Sequence, residues 1–166
     1  MTRRELEVTD PQEIIRILDT CKVLHLGLVD EGQPYIVPMN YGYVMEDEQL
    51  TIYLHSATQG YKLDVIQKNP VACFEMECDV TPFAGQVACQ YGTSYSSLFG
   101  RGTVELVEDV EEKKKALTIL MKTQTGKDFT FDDRMVSIVS VMKIQAGSYT
   151  AKKRPIPAAL GLYSEN

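Results

Sequence analysis

Only two histidines occur in the 166 residues, and one of them closes an apolar run in the stretch IYLHSATQGYKLDVIQKNP, residues 52–70. His55 is followed at once by Ser56, Ala57 and Thr58, then by Gly60 and Lys62. Imidazole titrates near neutral pH, so a histidine can pass a proton or donate a hydrogen bond to a reacting group. The residues after it suit an anion. A helix N-terminus presents free N–H groups and a partial positive charge. Two hydroxyls, a glycine that lets backbone come close and an early lysine would complete a phosphate cradle. The spacing is neither that of a Walker loop nor that of a dinucleotide fingerprint. A plainer reading stands beside this one: a structural strand-end histidine, with Ser56 and Thr58 as helix caps.

The elements that must position these residues follow from periodicity. Leu50, Ile52 and Leu54 alternate as a strand that ends at His55, and ATQGYKLDVIQKN reads as a short helix stopped by Pro70. Asp64 and Lys68 are spaced for an i,i+4 pair. Upstream, Asp10, Pro11 and Glu13 mark the start of a helix with Ile14, Leu18 and Cys21 on one side. Leu24, Leu26 and Leu28 alternate with His25 and Gly27, so His25 faces away from the apolar side. The chain turns at 30–33, returns through Tyr35, Ile36 and Val37 and turns again at 45–49, which predicts an antiparallel meander.

VACFEMECDV is a fourth strand, residues 80–94 form a loop rich in Gly, Thr and Ser, and SSLFGRGTVELVE is a fifth. Gly100 and Gly102 there suggest a bulge or a close backbone approach. Asp109, Glu112 and Gly126 bound a helix with an apolar stripe of Leu117, Leu120 and Met121. MVSIVSVMKIQAGSYT is the last strand. Five or six antiparallel strands with inserted helices predict a small barrel with peripheral helices, or an open α+β sandwich.

One domain over residues 1–166 accommodates this length. A net charge of −6 argues against a nucleic-acid partner. The N-terminus lacks an apolar signal core, and no apolar run reaches the ~18 residues of a spanning helix, so the expectation is a cytoplasmic protein with no membrane partner. The four cysteines form no CxxC pair; free thiols and no metal site are expected. Tyr41, Tyr43, Tyr53, Tyr91 and Tyr95 could stack on a flat ring or simply pack the core.

Three stretches, DEGQPYIVPMNYGY, IYLHSATQGYKLDVIQKNP with VACFEMEC, and SYSSLFGRGTVELVED, occur in the order and spacing of the nitroimidazole-resistance (Nim-type) flavoproteins. These belong to the FMN-binding split-barrel superfamily that includes pyridoxamine-phosphate oxidase. The chain resembles this family over roughly residues 8–155. The resemblance implies a mainly β (α+β) fold, a six-stranded antiparallel split β-barrel with peripheral helices. It also implies a homodimer with FMN in a groove between subunits. The segment Val37-Pro38-Met39-Asn40-Tyr41 would run along the flavin ring. His55, Ser56, Ala57 and Lys62 would reach the ring edge and the phosphate, with His55 near the reactive part, and Tyr95 and Ser97 would add contacts. The family often carries arginines in a segment where this chain has Ser94, Tyr95, Ser96 and Ser97. Lys152, Lys153 and Arg154 could supply charge, or be a solvated tail.

The function implied is FMN-dependent reduction of a small-molecule electron acceptor such as a nitroaromatic compound, with His55 as the catalytic residue. Two other readings are a flavin-binding carrier or sensor without efficient turnover, and a split barrel holding haem through His55 or His25.

Overall fold

A computed structural model describes residues 4–158 and 161–162. In chain order the elements are β1 (Glu7–Val8), α1 (Pro11–Thr20), β2 (Leu24–Asp30), β3 (Gln33–Met39), β4 (Tyr41–Glu46) and β5 (Gln49–Ser56). Then come α2 (Tyr61–Lys68), β6 (Val71–Ala84), β7 (Gly92–Val107), α3 (Val110–Thr125), α4 (Asp133–Ser137), β8 (Ser140–Arg154) and β9 (Gly161–Leu162). The expected class, mainly β with peripheral helices, is the one observed. Among the described residues the strands number nine rather than six, two of them only two residues long, and their order does not close on itself. The described residues form two compact units, one of residues 22–75 and 100–149, the other of 4–21, 76–99, 150–158 and 161–162.

In the first unit the strand order is β3-β2-β6-β7-β8-β5-β4. The expected meander is corrected here. The run from Tyr35 to Met45 is two strands: β3 pairs antiparallel with β2, β4 pairs antiparallel with β5, and the two end opposite flanks of the order. Asn40 lies between the two strands, and its side-chain amide donates to the Lys22 carbonyl at 3.1 Å and to the Gln124 side-chain oxygen at 3.3 Å. Leu24, Leu26 and Leu28 are buried, as their alternation requires, with Ile52, Leu54, Phe74, Met142 and Ile144. Gly100 and Gly102 mark close approach. A Cβ at Gly100 would strike the Phe74 ring, and one at Gly102 would meet the Ile144 side chain at 2.9 Å.

A second cluster, Tyr53, Val107, Ala116, Leu117, Val136 and Val141, seats α3 and α4. The Asp109 carboxylate accepts from the Glu112 N–H at 2.8 Å, and Gly126 ends α3 at φ 72°. Glu112 does not reach back as a capping box would; its carboxylate takes Lys143 at 2.9 Å. Met121, expected on the apolar stripe, is only half-buried, and Ala116 takes its place. The last strand starts later than its composition suggests: residues 133–137 form α4, capped by the Asp132 carboxylate on the Met135 N–H.

In the second unit α1 begins where its caps require. Asp10 accepts from the Gln12 N–H at 3.0 Å, and Ile14, Ile17 and Leu18 are buried. Most of the expected loop over 80–94 is strand. β6 runs to Ala84 and β7 begins at Gly92, because Phe83 and Ser94 are buried and the Ser94 hydroxyl donates to the Thr81 carbonyl. The basic segment is no tail either. Lys152 pairs opposite Glu7, Lys153 binds Glu13 at 2.8 Å, and the Arg154 guanidinium lies 5.3 Å from the Phe83 ring centroid. No helix among the described residues is long and apolar enough to cross a membrane.

Candidate functional site

β5 carries His55 to the edge of the first unit's core. On one side its backbone pairs with Val141 of β8; on the other, Leu54 pairs with Tyr41 of β4. That register sets the Asn40–Tyr41 corner at the His55 end of β5. The imidazole is half-buried, and Nδ1 is fully enclosed with no hydrogen-bond partner among the described residues. Burial, and secondarily the charge of Lys62, lower the His55 pKa from its ordinary 6.5. His55 is therefore a neutral imidazole near pH 7, with one N–H and one lone pair. An enclosed polar nitrogen without a partner is costly in an apolar setting, by roughly 1–3 kcal/mol.

The helix after it starts later than the hydroxyls suggest. Residues 57–60 are not helical, and α2 begins at Tyr61 after Gly60, whose φ of 147° only glycine adopts freely. Ser56 and Thr58 are therefore not caps of α2; the Ser56 hydroxyl donates to the Ala57 carbonyl at 2.9 Å. No side chain caps the helix. The free N–H groups at its start lie at 61–62, since the Leu63 and Asp64 N–H groups already donate to the Gly60 carbonyl. Lys62, the second residue of α2, is half-buried and forms no ion pair among the described residues. The expected Asp64–Lys68 pair is absent; Lys68 reaches Asp30 instead, at 3.5 Å.

The remaining expected residues have different environments. Val37 is half-buried, Pro38 exposed and Met39 buried, along β3 opposite Leu26, His25 and Leu24. Asn40 is exposed but committed to Lys22 and Gln124, while Tyr41 is fully buried with its carbonyl taken by the Gln124 amide at 2.7 Å. Ala57 is exposed and Ser56 half-buried. Of the aromatic residues considered for stacking, Tyr53 joins the core and Tyr91 is about half exposed. His25 is half-exposed beside Glu75, with Nδ1 to Oε2 at 3.5 Å.

Tyr95 and Ser97 lie half-buried on β7, in the second unit. Ser94 and Ser96, on the alternate face, are buried, and the Ser96 hydroxyl donates to Asp79 at 3.0 Å. Asp79 also accepts from Arg16 at 2.7 Å. Sequence reasoning missed Arg16, which sits in an amphipathic helix with no local signal of its distant partner. It also missed Asp30 and Tyr61, joined by a hydrogen bond of 2.7 Å across 31 positions.

These features define an antiparallel split-barrel protein in which, among the described residues, an imidazole nitrogen without a partner lies near a lysine without an ion pair. The family model described as pyridoxamine 5′-phosphate oxidase matches residues 10–153, and the chain belongs to that family. A crystal structure of a candidate 5-nitroimidazole antibiotic resistance protein from Bacteroides thetaiotaomicron is 34% identical, with a TM-score of 0.76 over 95% of this chain and 88% of that one. The flavocytochrome Anf3 from Azotobacter vinelandii shares the fold at 16% identity, with a TM-score of 0.75 over 93% of this chain and 72% of that one. The FAD and heme binding protein from Mycobacterium smegmatis shares it at 16% identity, with a TM-score of 0.77 over 96% and 76%. No curated protein matches the chain.

Proposed function

We propose that this protein binds FMN and reduces small nitroaromatic compounds such as 5-nitroimidazoles. The observation that carries the reading is the half-buried His55, its enclosed Nδ1 without a partner among the described residues, near Lys62, which forms no ion pair among them. A flat ligand that carries an anion meets the lysine through the anion and the half-buried imidazole through the part of the ring left accessible. The name of the 34%-identical Bacteroides protein points in the same direction.

In this reading Lys62 and the free N–H groups at the start of α2 hold the phosphate. Gly60, with no Cβ and nothing within 4 Å of where one would lie, lets the phosphate approach the backbone. His55, Ser56 and Ala57 meet the ring, and the Val37–Tyr41 segment lines it. The bound flavin supplies hydride transfer to the electron acceptor. His55, held neutral, serves as a hydrogen-bond donor to negative charge developing near it rather than as an imidazolium acid.

The proposed assembly is a homodimer. Ile36, Tyr61 and Val71 are each more than half exposed, and two-fold pairing is the commonest way to cover such surface. The four cysteines are free, which suits a reducing, cytoplasmic setting.

A second reading, haem in place of flavin, draws on the same unpartnered imidazole, which could serve as an axial ligand. The absorption spectrum of the purified or reconstituted protein separates the two. Turnover of a 5-nitroimidazole with NADH or NADPH then tests the activity. A flavin-loaded protein with no turnover would reduce the proposal to a flavin carrier or sensor.

A further inference from the structure

Asp30, the last residue of β2, receives hydrogen bonds from both ends of α2. The Tyr61 hydroxyl, from the first residue of the helix, donates to Oδ2 at 2.7 Å, and Lys68 Nζ, from the last, donates to Oδ1 at 3.5 Å. The Asp30 side chain is only 16% exposed, although both of its partners are exposed. Just past the helix, the Asn69 amide donates to the Val29 carbonyl at 3.2 Å, adjoining the same strand end. The Tyr61 ring also meets Tyr35 of β3 edge-on, with centroids 5.0 Å apart and planes at 71°.

The start of α2 has little else to define it. Its cap is a glycine with no side-chain hydrogen bond, and Leu63 is the only buried residue of the first turn. An anion held by Lys62 and the first N–H groups needs that turn in one place, because charge-assisted hydrogen bonds weaken steeply with misalignment. We infer that Asp30 is a positioning residue for this anion site: one carboxylate fastens both ends of the helix and so fixes where Lys62 and the first-turn N–H groups meet a phosphate. This rests on the phosphate reading given above.

The test compares FMN with riboflavin, which lacks the phosphate, in wild-type protein and in Asp30→Ala, Asp30→Asn and Tyr61→Phe. Asp30→Ala should weaken FMN binding roughly 3- to 10-fold, the scale of one or two hydrogen bonds. Riboflavin binding should stay within about twofold, inside the loss of one such bond. Asp30→Asn, which still accepts from Tyr61, should recover most of the loss, and Tyr61→Phe, which removes one hydroxyl, should reproduce part of it. Wild-type protein that prefers FMN while Asp30→Ala and Tyr61→Phe bind it normally would overturn this inference alone. So would equal losses for FMN and riboflavin accompanied by a lower melting temperature. Wild-type protein with no preference for FMN overturns the phosphate reading, and the inference with it.

Discussion

His55 and Val141 are cross-strand partners on β5 and β8, and this pairing holds the imidazole with Nδ1 enclosed and unpartnered. That arrangement costs stability. His55→Leu should therefore leave the apo-protein at least as stable as wild type, since an unsatisfied buried polar atom is replaced by an apolar one. Nitro-acceptor reduction should fall by roughly 100-fold or more, the scale of a lost hydrogen-bonding or proton-transfer group. Thermal melting of the apo-protein and steady-state turnover read the two effects. A large stability loss with turnover intact would make His55 structural.

The lowered His55 pKa has a consequence for pH. Between the folded-state pKa and the ordinary 6.5, the unfolded chain binds the proton more readily than the fold, so this contribution makes stability rise with pH. Apo-protein should lose stability as pH falls from about 7 through the folded-state value, starting near the unperturbed histidine pKa. His55→Leu should flatten that part of the profile. Denaturant midpoints across this range, compared between the two proteins, check it.

Glu13 acts in the same direction at lower pH, here because its charged form is held by ion pairs. The Arg16 hydrogen bond, and then that of Lys153, hold its carboxylate down at about 2, against an ordinary 4.5. Its contribution is present in full above 4.5 and is lost as pH falls toward 2. Glu13→Gln should lower stability at neutral pH and show a shallower acid loss, read as unfolding midpoints over the acid range.

Gly42 of β4 lies against the backbone of α3, where a Cβ would collide with Leu120 and come within 2.8 Å of the Ile119 carbonyl carbon. Backbone cannot yield as a flexible side chain can. Gly42→Ala should destabilise by roughly 1–3 kcal/mol. In melting temperature that is about 2–4 °C per kcal/mol for a chain of this size.

The parts of this fold that were legible in the sequence are those set by neighbours in the chain. Asp10 with Pro11 and Asp109 with Gly126 bounded α1 and α3, because capping is a local hydrogen bond. Leu24, Leu26 and Leu28 marked β2 through simple alternation. The break at Asn40 was not legible, since its partners Lys22 and Gln124 lie far off in sequence. Residues 80–84 and 92–94 looked like loop because Thr, Gly and Ser suit a loop by composition; burial of Phe83 and Ser94 makes them strand. Of the candidate site, the His55-to-Lys62 stretch was visible as a pattern, but the start of α2 was placed four residues early. Ser56 and Thr58, which suit helix caps by type, do not cap α2, whereas Tyr61 at its start is tied to Asp30.

The central claim is that Lys62 and the start of α2 hold the phosphate of a flavin whose ring meets His55. Titration of wild type and Lys62→Ala with FMN and with riboflavin tests it most directly. Wild type should bind FMN at micromolar affinity or better, about −8 kcal/mol. Lys62→Ala should lose roughly 1.5–3 kcal/mol of FMN binding, the value of a charged hydrogen bond, and little or none of riboflavin binding. A folded wild-type protein that takes up no flavin, or equal losses for the two ligands in Lys62→Ala, would contradict the account.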